Sequence, residues 1–171
     1  MIEIKRATEN DAAAIVAIGS ISVEEAHRDS CAADILKQYM DVHYNESAIR
    51  TELQNPQHWY HLLYYNEVPV GFSKIVPDAT HASISEPHTT KLDRIYLLKE
   101  YQALKLGKEL LNFNIELAKQ QGQSGMWLFT WIGNERAIRF YQKAGFDIIG
   151  RHQFLVSGSH YNENHHMFLR F

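Results

Sequence analysis

The feature that most constrains this chain is a strand joined to a helix by a tight turn, LDRIYLL (92–98) running through KEYQA into LKLGKELL. Leu106, Leu110, Phe113 and Leu117 recur at helical spacing and predict a helix over 105–120, which Gly122 and Gly125 break. MWLFTW (126–131) then reads as a compact aromatic strand, and Asn134 is placed to cap a further helix through Ala144, with Gly145 as its left-handed stop. A strand, a helix, a strand and a helix in succession bury their apolar faces only as a sheet with helices laid on it.

The flanking segments extend that sheet. IEIKRAT alternates Ile2 and Ile4 with Glu3 and Lys5, as a half-buried first strand does. Thr8, Asn10 and Asp11 offer caps for a helix through AAAIVAIGSISVEEAH, in which Gly19 is a weak point. Residues 30–54 are helical in flavour, anchored by Tyr39, Met40, Ile49 and Leu53. HWYHLLYY (58–65) and VPVGFSKIV (68–76) are strands joined by an Asn-Glu hairpin turn, and the polar residues 77–90 form a surface loop. FDIIGRHQFLV and NENHHMFLRF close the chain as two strands, antiparallel because the SGSHY connection is short. The expectation is one domain over 1–171: an α/β chain with a mixed sheet and helices on its faces.

Charge and cysteine content exclude several functions. Lys plus Arg number 17 against 20 Asp plus Glu, a net charge of -3, without the concentrated basic face of a nucleic-acid binder. That balance is compatible with a small cationic substrate. The single Cys31 excludes an internal disulfide framework and suits a reducing cytoplasm. MIEIKRATEND is charged from the start, unlike a signal segment, and no apolar run is long enough to span a bilayer.

The turn itself has chemistry. A helix N-terminus presents unpaired N–H donors and partial positive charge, so the N–H groups of Ala103, Leu104, Lys105, Leu106, Gly107 and Lys108 form a natural cradle for a pyrophosphate. Gly107 permits close backbone approach and Lys108 adds a formal charge. A nucleotide P-loop is excluded, because Gln102 stands where that motif has its first glycine and Glu109 where it needs Ser or Thr.

Together LDRIYLL, YQALKLGKELL and NERAIRFYQKAGF resemble the GNAT superfamily of acyl-CoA-dependent N-acetyltransferases, through Gln102, Gly107, Asn134, Ala137, Tyr141, Gly145 and Phe146. Residues 91–150 carry most of the resemblance, and the chain looks most like the PaiA-like polyamine acetyltransferases. The resemblance implies a mostly antiparallel mixed sheet splayed at its middle strands, and acetyl-CoA as co-substrate without a metal. It also implies that the backbone along Ile95, Tyr96 and Leu97 serves the thioester and pantetheine, as does Asn134, with Lys143 on the cofactor side. Tyr141 matches the general acid that protonates the departing thiolate. Lys105 departs from the pattern, standing where the family has its first glycine; its Cβ is harmless at negative φ and a strain at positive φ.

By strand alternation Asp93 shares the face of Ile95, which nominates it as a base acting through water or as an amine-orienting anion; a surface pair with Arg94 or Lys91 is the plain alternative. His165 and His166 are consecutive and point to opposite faces, so they do not make a metal pair. The resulting expectation is direct acetyl transfer from acetyl-CoA to a small amine such as spermidine, held by Glu24, Glu25 and Asp29 at the end of the first helix. Two alternatives stand beside it: a protein N-terminal or lysine acetyltransferase, and an acyl-CoA-binding regulator without turnover. A homodimer is compatible with each.

Overall fold

The computed structural model describes residues 1–171 and contains one seven-stranded sheet of order β1-β2-β3-β4-β5-β7-β6. Its strands are β1 (Ile2–Arg6), β2 (Trp59–Tyr65), β3 (Val68–Val76), β4 (Thr89–Leu97), β5 (Gly125–Trp131), β6 (Asp147–Ser157) and β7 (His160–Arg170). Helices α1 (Ala12–His27), α2 (Ala33–His43) and α3 (Glu46–Gln54) cover one face; α4 (Leu106–Gln120) and α5 (Glu135–Lys143) cover the other. All pairings are antiparallel except β4 with β5.

Local chemistry explains most element ends. The backbone N–H of Thr8 donates to Asp11 at 2.7 Å, which starts the turn leading into α1. Gly19 is needed for packing, since a Cβ there would overlap the Tyr44 ring. Asn45 divides the helical stretch 30–54 in two by accepting the Ala48 N–H at 2.9 Å as the cap of α3. Asn66 and Glu67 both take positive φ, 48° and 68°, as the tight β2–β3 hairpin requires. Gly145, at φ +100°, stops α5.

Two sequence expectations are shifted. Gly122 does follow the end of α4, but Gly125 is the first residue of β5, pressed against the Phe168 ring. The buried stripe of α4 is Leu106, Leu110, Leu111, Asn114, Ile115 and Ala118, leaving Phe113 and Leu117 half-buried beside it. Asn114 is buried because its amide donates to Ser73 at 2.9 Å and to the Leu110 carbonyl at 2.7 Å, fixing α4 to β3. Each leucine and isoleucine of the stripe contributes about 1.5–3 kcal/mol through burial.

What positions the site is the β4–β5 pair. It is held only at Thr89–Gly125, Thr90–Met126 and Lys91–Trp127, after which the strands diverge. The remainder of β4 then has a free edge on the β5 side, and a cleft opens between the two halves of the sheet.

Candidate active site

The cleft has a volume of about 890 Å³ and runs from the β4–α4 turn to the space under α1 and α2. At the turn, Lys99–Leu104 form a 3-10 helix and Lys105 follows with φ 60° and ψ 15°, a left-handed conformation. The N–H groups of Lys105, Leu106 and Gly107 donate to no backbone carbonyl, whereas that of Lys108 already bonds the Lys105 carbonyl at 3.0 Å. The cradle expected over 103–108 is therefore three donors wide. Ala103, Leu104 and Leu106 do not line the cleft with their side chains; Leu106 points into the core instead. Lys99, Lys105, Lys108 and Arg136 do line this end, where phosphate oxygens would meet three N–H donors and four cations. A Cβ on Gly107 would find only the Phe140 ring, at 3.9 Å, so the space over this glycine is open.

Gln102 is occupied structurally. Its amide donates to the Leu97 carbonyl at 3.2 Å, and its oxygen accepts from Arg136 on α5. Asn134 caps α5 by accepting the Ala137 N–H at 3.1 Å while also lining the cleft. Lys143, at the far end of α5, does not line it.

Ile95, Tyr96 and Leu97 line the middle of the cleft from the free edge of β4. Tyr141 faces them from α5, its ring set against Phe140 and Phe146 with centroids 5.3 and 5.7 Å away. Burial pushes the Tyr141 phenol well up, and no hydrogen bond within the protein offsets that. At neutral pH it is a protonated donor with no intramolecular acceptor. Tyr96 has a partner, His27 of α1, whose Nε2 lies 3.2 Å from the Tyr96 hydroxyl. Burial lowers the His27 pKa to about 4, so its ring is neutral.

Asp93 lies on the side opposite to that expected. Lys74 pairs with Arg94 and Ile75 with Leu92, so Asp93 is the extra residue of a β-bulge and alternation is reset there. Ile95 packs towards α4, while Asp93 and Arg94 both join an ion network under α3. Asp93 bonds Lys74 at 2.8 Å and Lys91 at 2.9 Å; Lys74 bonds Glu52 at 3.0 Å, and Arg94 reaches Glu52 at 3.4 Å. Tyr60 ties the network together, accepting from Arg94 at 2.8 Å and donating to Glu52. Burial alone would raise the Asp93 pKa, but Lys74 and Lys91 more than offset it and hold the carboxyl well below the ordinary range. Burial likewise opposes Glu52, and Arg94 and Lys74 overcome it. The plain pairing of Asp93 with Lys91 is thus present, but half-buried and shared with Lys74.

The three carboxylates expected to hold a polycation do not converge. Glu24 is held by Arg28 at 2.7 Å outside the cleft, Asp29 does not line it, and only Glu25 stands on its rim. Glu52, Lys74, Arg94, His27 and Arg136 also line the cleft, and no motif in the sequence marks them. No cluster of three or more His, Cys, Asp or Glu side chains is arranged to hold a metal ion, and no helix is long and apolar enough to cross a membrane.

Comparison with known proteins matches this geometry. A solved structure of PaiA N-acetyltransferase from Thermoplasma acidophilum, in complex with coenzyme A, superposes with a TM-score of 0.80 over 100% of this chain and 99% of that one, at 19% identity. An uncharacterised N-acetyltransferase from the pepI 3' region of Lactobacillus delbrueckii subsp. lactis is 24% identical over 155 residues, covering 91% of this chain and 90% of its own. N-alpha-acetyltransferase 50 of Danio rerio is 32% identical over 94 residues, about half of either chain (52% and 51%). The acetyltransferase (GNAT) family model matches residues 21–146, the span that holds the unpaired N–H donors, the free β4 edge and Tyr141. The chain belongs to the acetyltransferase (GNAT) family.

Proposed function

We propose that this acetyl-CoA-dependent N-acetyltransferase acts on the primary amine of a small molecule, by direct attack and without an acyl-enzyme. The observation that carries the reading is one cleft with an anion cradle at one end, an unpartnered phenol in the middle and a half-buried carboxylate at the other. Acetyl-CoA supplies the activated thioester. Lys105, Leu106 and Gly107 offer N–H donors to its pyrophosphate, helped by Lys108 and Arg136. The free edge of β4 offers backbone groups to the pantetheine and the thioester carbonyl. Tyr141, protonated and without an internal acceptor, is placed to give its proton to the leaving thiolate. Asp93 is held too strongly ionised to be an effective base, so of its two candidate roles the amine-orienting anion fits better. The proton lost by the attacking nitrogen passes to water in the cleft and, in balance, restores the Tyr141 phenol. Cys31 does not line the cleft, so a thiol nucleophile has no support.

The polyamine assignment draws support from the likeness to PaiA, but not from the placement of Glu24, Glu25 and Asp29. Acetylation of a protein N-terminus is favoured only by the half-length match to N-alpha-acetyltransferase 50. A reducing cytoplasmic setting suits the lone Cys31. Calorimetry with acetyl-CoA together with a thiol-release assay over polyamines, monoamines and peptides tests the proposal. Transfer to at least one small amine is expected. Tight acetyl-CoA binding with no acceptor-dependent thiol release would favour a regulator instead.

A further inference from the structure

The far end of the cleft has two walls, and both bear on what kind of amine fits. One is the ion network, which contains three cations (Lys74, Lys91, Arg94) and two carboxylates (Asp93, Glu52). Each carboxylate oxygen in it already has a partner. Asp93 Oδ1 faces Lys91 and Oδ2 faces Lys74, while Glu52 Oε1 faces Arg94 and Oε2 faces Lys74 and Tyr60. With Lys74 only 6% exposed, a second ammonium arriving here would meet net positive charge in a poorly solvated space and find no free anion in the network; the unpaired Glu25 stands on the rim of the cleft instead.

The other wall comes from β5, β6 and β7. Asn164 is paired across the sheet with Trp131 on one side and His152 on the other, so its side chain shares their face. It is 7% exposed and lines the cleft; its Oδ1 is buried with no hydrogen-bond partner, itself out of reach of the open space. A buried amide oxygen left unpaired costs about 1–3 kcal/mol, which is recovered when the amide turns over and presents that oxygen to a ligand donor in the cleft. Around it the wall is aromatic, with Phe129, Trp131 and Phe154 lining the cleft. Tyr39 of α2 closes over Phe154, ring centroids 6.3 Å apart, and its hydroxyl is likewise without a partner in the protein.

Resting on the transfer reading above, we propose that the acceptor is a primary amine on an uncharged, largely apolar body bearing one hydrogen-bonding group for Asn164, and not a polycation. Asp93, whose oxygens each keep a lone pair beyond their lysine partner, accepts from the neutral reacting amine, the aromatic wall takes the body, and Asn164 selects the polar group.

The test uses the full chain, with thiol release measured for tyramine and phenylalaninamide against spermidine and putrescine. At least one neutral-bodied amine should exceed both polyamines by about tenfold or more in kcat/KM, within the range set by leaving one buried polar group unpaired. Asn164→Leu should raise KM for the preferred amine about tenfold while kcat and the acetyl-CoA Kd hold, since only the acceptor loses a hydrogen bond. Asn164→Asp, which adds the missing anion, should shift the preference towards spermidine. Unchanged acetyl-CoA affinity reports that each variant is folded. Spermidine as the best wild-type acceptor, or an unaltered KM in folded Asn164→Leu, would overturn the inference and leave acetyl transfer standing. Acetyl-CoA binding with no release on any amine would overturn acetyl transfer as well.

Discussion

Replacing Lys105 by glycine separates what its backbone costs from what its ammonium gives. The residue has φ 60° and ψ 15°, makes no side-chain cap to α4, and precedes the unpaired N–H groups of Leu106 and Gly107. An L-residue in the left-handed region is disfavoured by about 1–2 kcal/mol. Glycine removes that strain but adds about 0.5–1 kcal/mol of unfolded-state freedom. The difference leaves Lys105→Gly more stable by roughly 0.5–1 kcal/mol, a rise of about 1–4 °C in Tm for a chain of this size. The ammonium is exposed at the cofactor end, so its loss should weaken coenzyme A by about 0.5–1 kcal/mol, a twofold to fivefold rise in Kd. Lys105→Ala makes the same change in charge without the gain in stability, because the alanine Cβ keeps the strain. Scanning calorimetry and coenzyme A titration of the three proteins decide the matter. Lower Tm in Lys105→Gly would show that the turn is not strained at all. Tighter coenzyme A binding by Lys105→Gly than by wild type would show that the lysine only burdens the loop.

Other perturbations address the rest of the cleft. Gly107→Glu should lower coenzyme A affinity at least tenfold by setting an anion against the phosphates, with circular dichroism unchanged, because the space over Gly107 is open; undiminished affinity in a folded variant would move the cradle elsewhere. Tyr141→Phe keeps the ring contacts and strands no partner, so Tm should hold while kcat falls about a hundredfold; near-normal turnover would return Tyr141 to a packing role. Burial lowers His27, His61 and His166 to about 4 each, with His61 further lowered by Arg6 and His166 by His81 and His152. Below about pH 6.5 the unfolded chain takes up protons at these sites and the folded chain does not, so stability is complete above that pH and falls towards pH 4. Urea midpoints at pH 7 and pH 5 should differ accordingly, and equal midpoints would show these rings to be solvated.

The parts of the site that were legible in the sequence are those written in contiguous residues. Helical spacing, the Asn134 cap and the Gly145 stop fixed α4 and α5 within a residue or two, and the cradle followed from where α4 begins. The ion network was not legible, because Glu52, Lys74 and Arg94 come from three separate elements and meet only when α3 docks on the sheet. Asp93 was assigned to the wrong face because alternation assumes an unbroken ladder, and a bulge depends on the pairing with β3 rather than on residues near Asp93. Glu24, Glu25 and Asp29 look alike in sequence; only the folded chain shows that Arg28 occupies Glu24 and that Asp29 lies outside the cleft. The left-handed backbone at Lys105 was legible only as the place where the family pattern has a glycine, and the sign of φ there is decided by the folded turn.

The contact between Gly19 and Tyr44 has a bearing on how such a chain can diversify. Intrinsic propensity alone would make alanine welcome in the middle of a helix, yet a methyl at position 19 would displace the Tyr44 ring. That ring also stacks beneath the Arg94 guanidinium, with 4.9 Å between charge and centroid. A change on the buried side of α1 would therefore reach the charged wall of the cleft through one aromatic ring. The charged side chains lining the cleft are thus open to adjustment from positions such as 19 and 44 that do not line it.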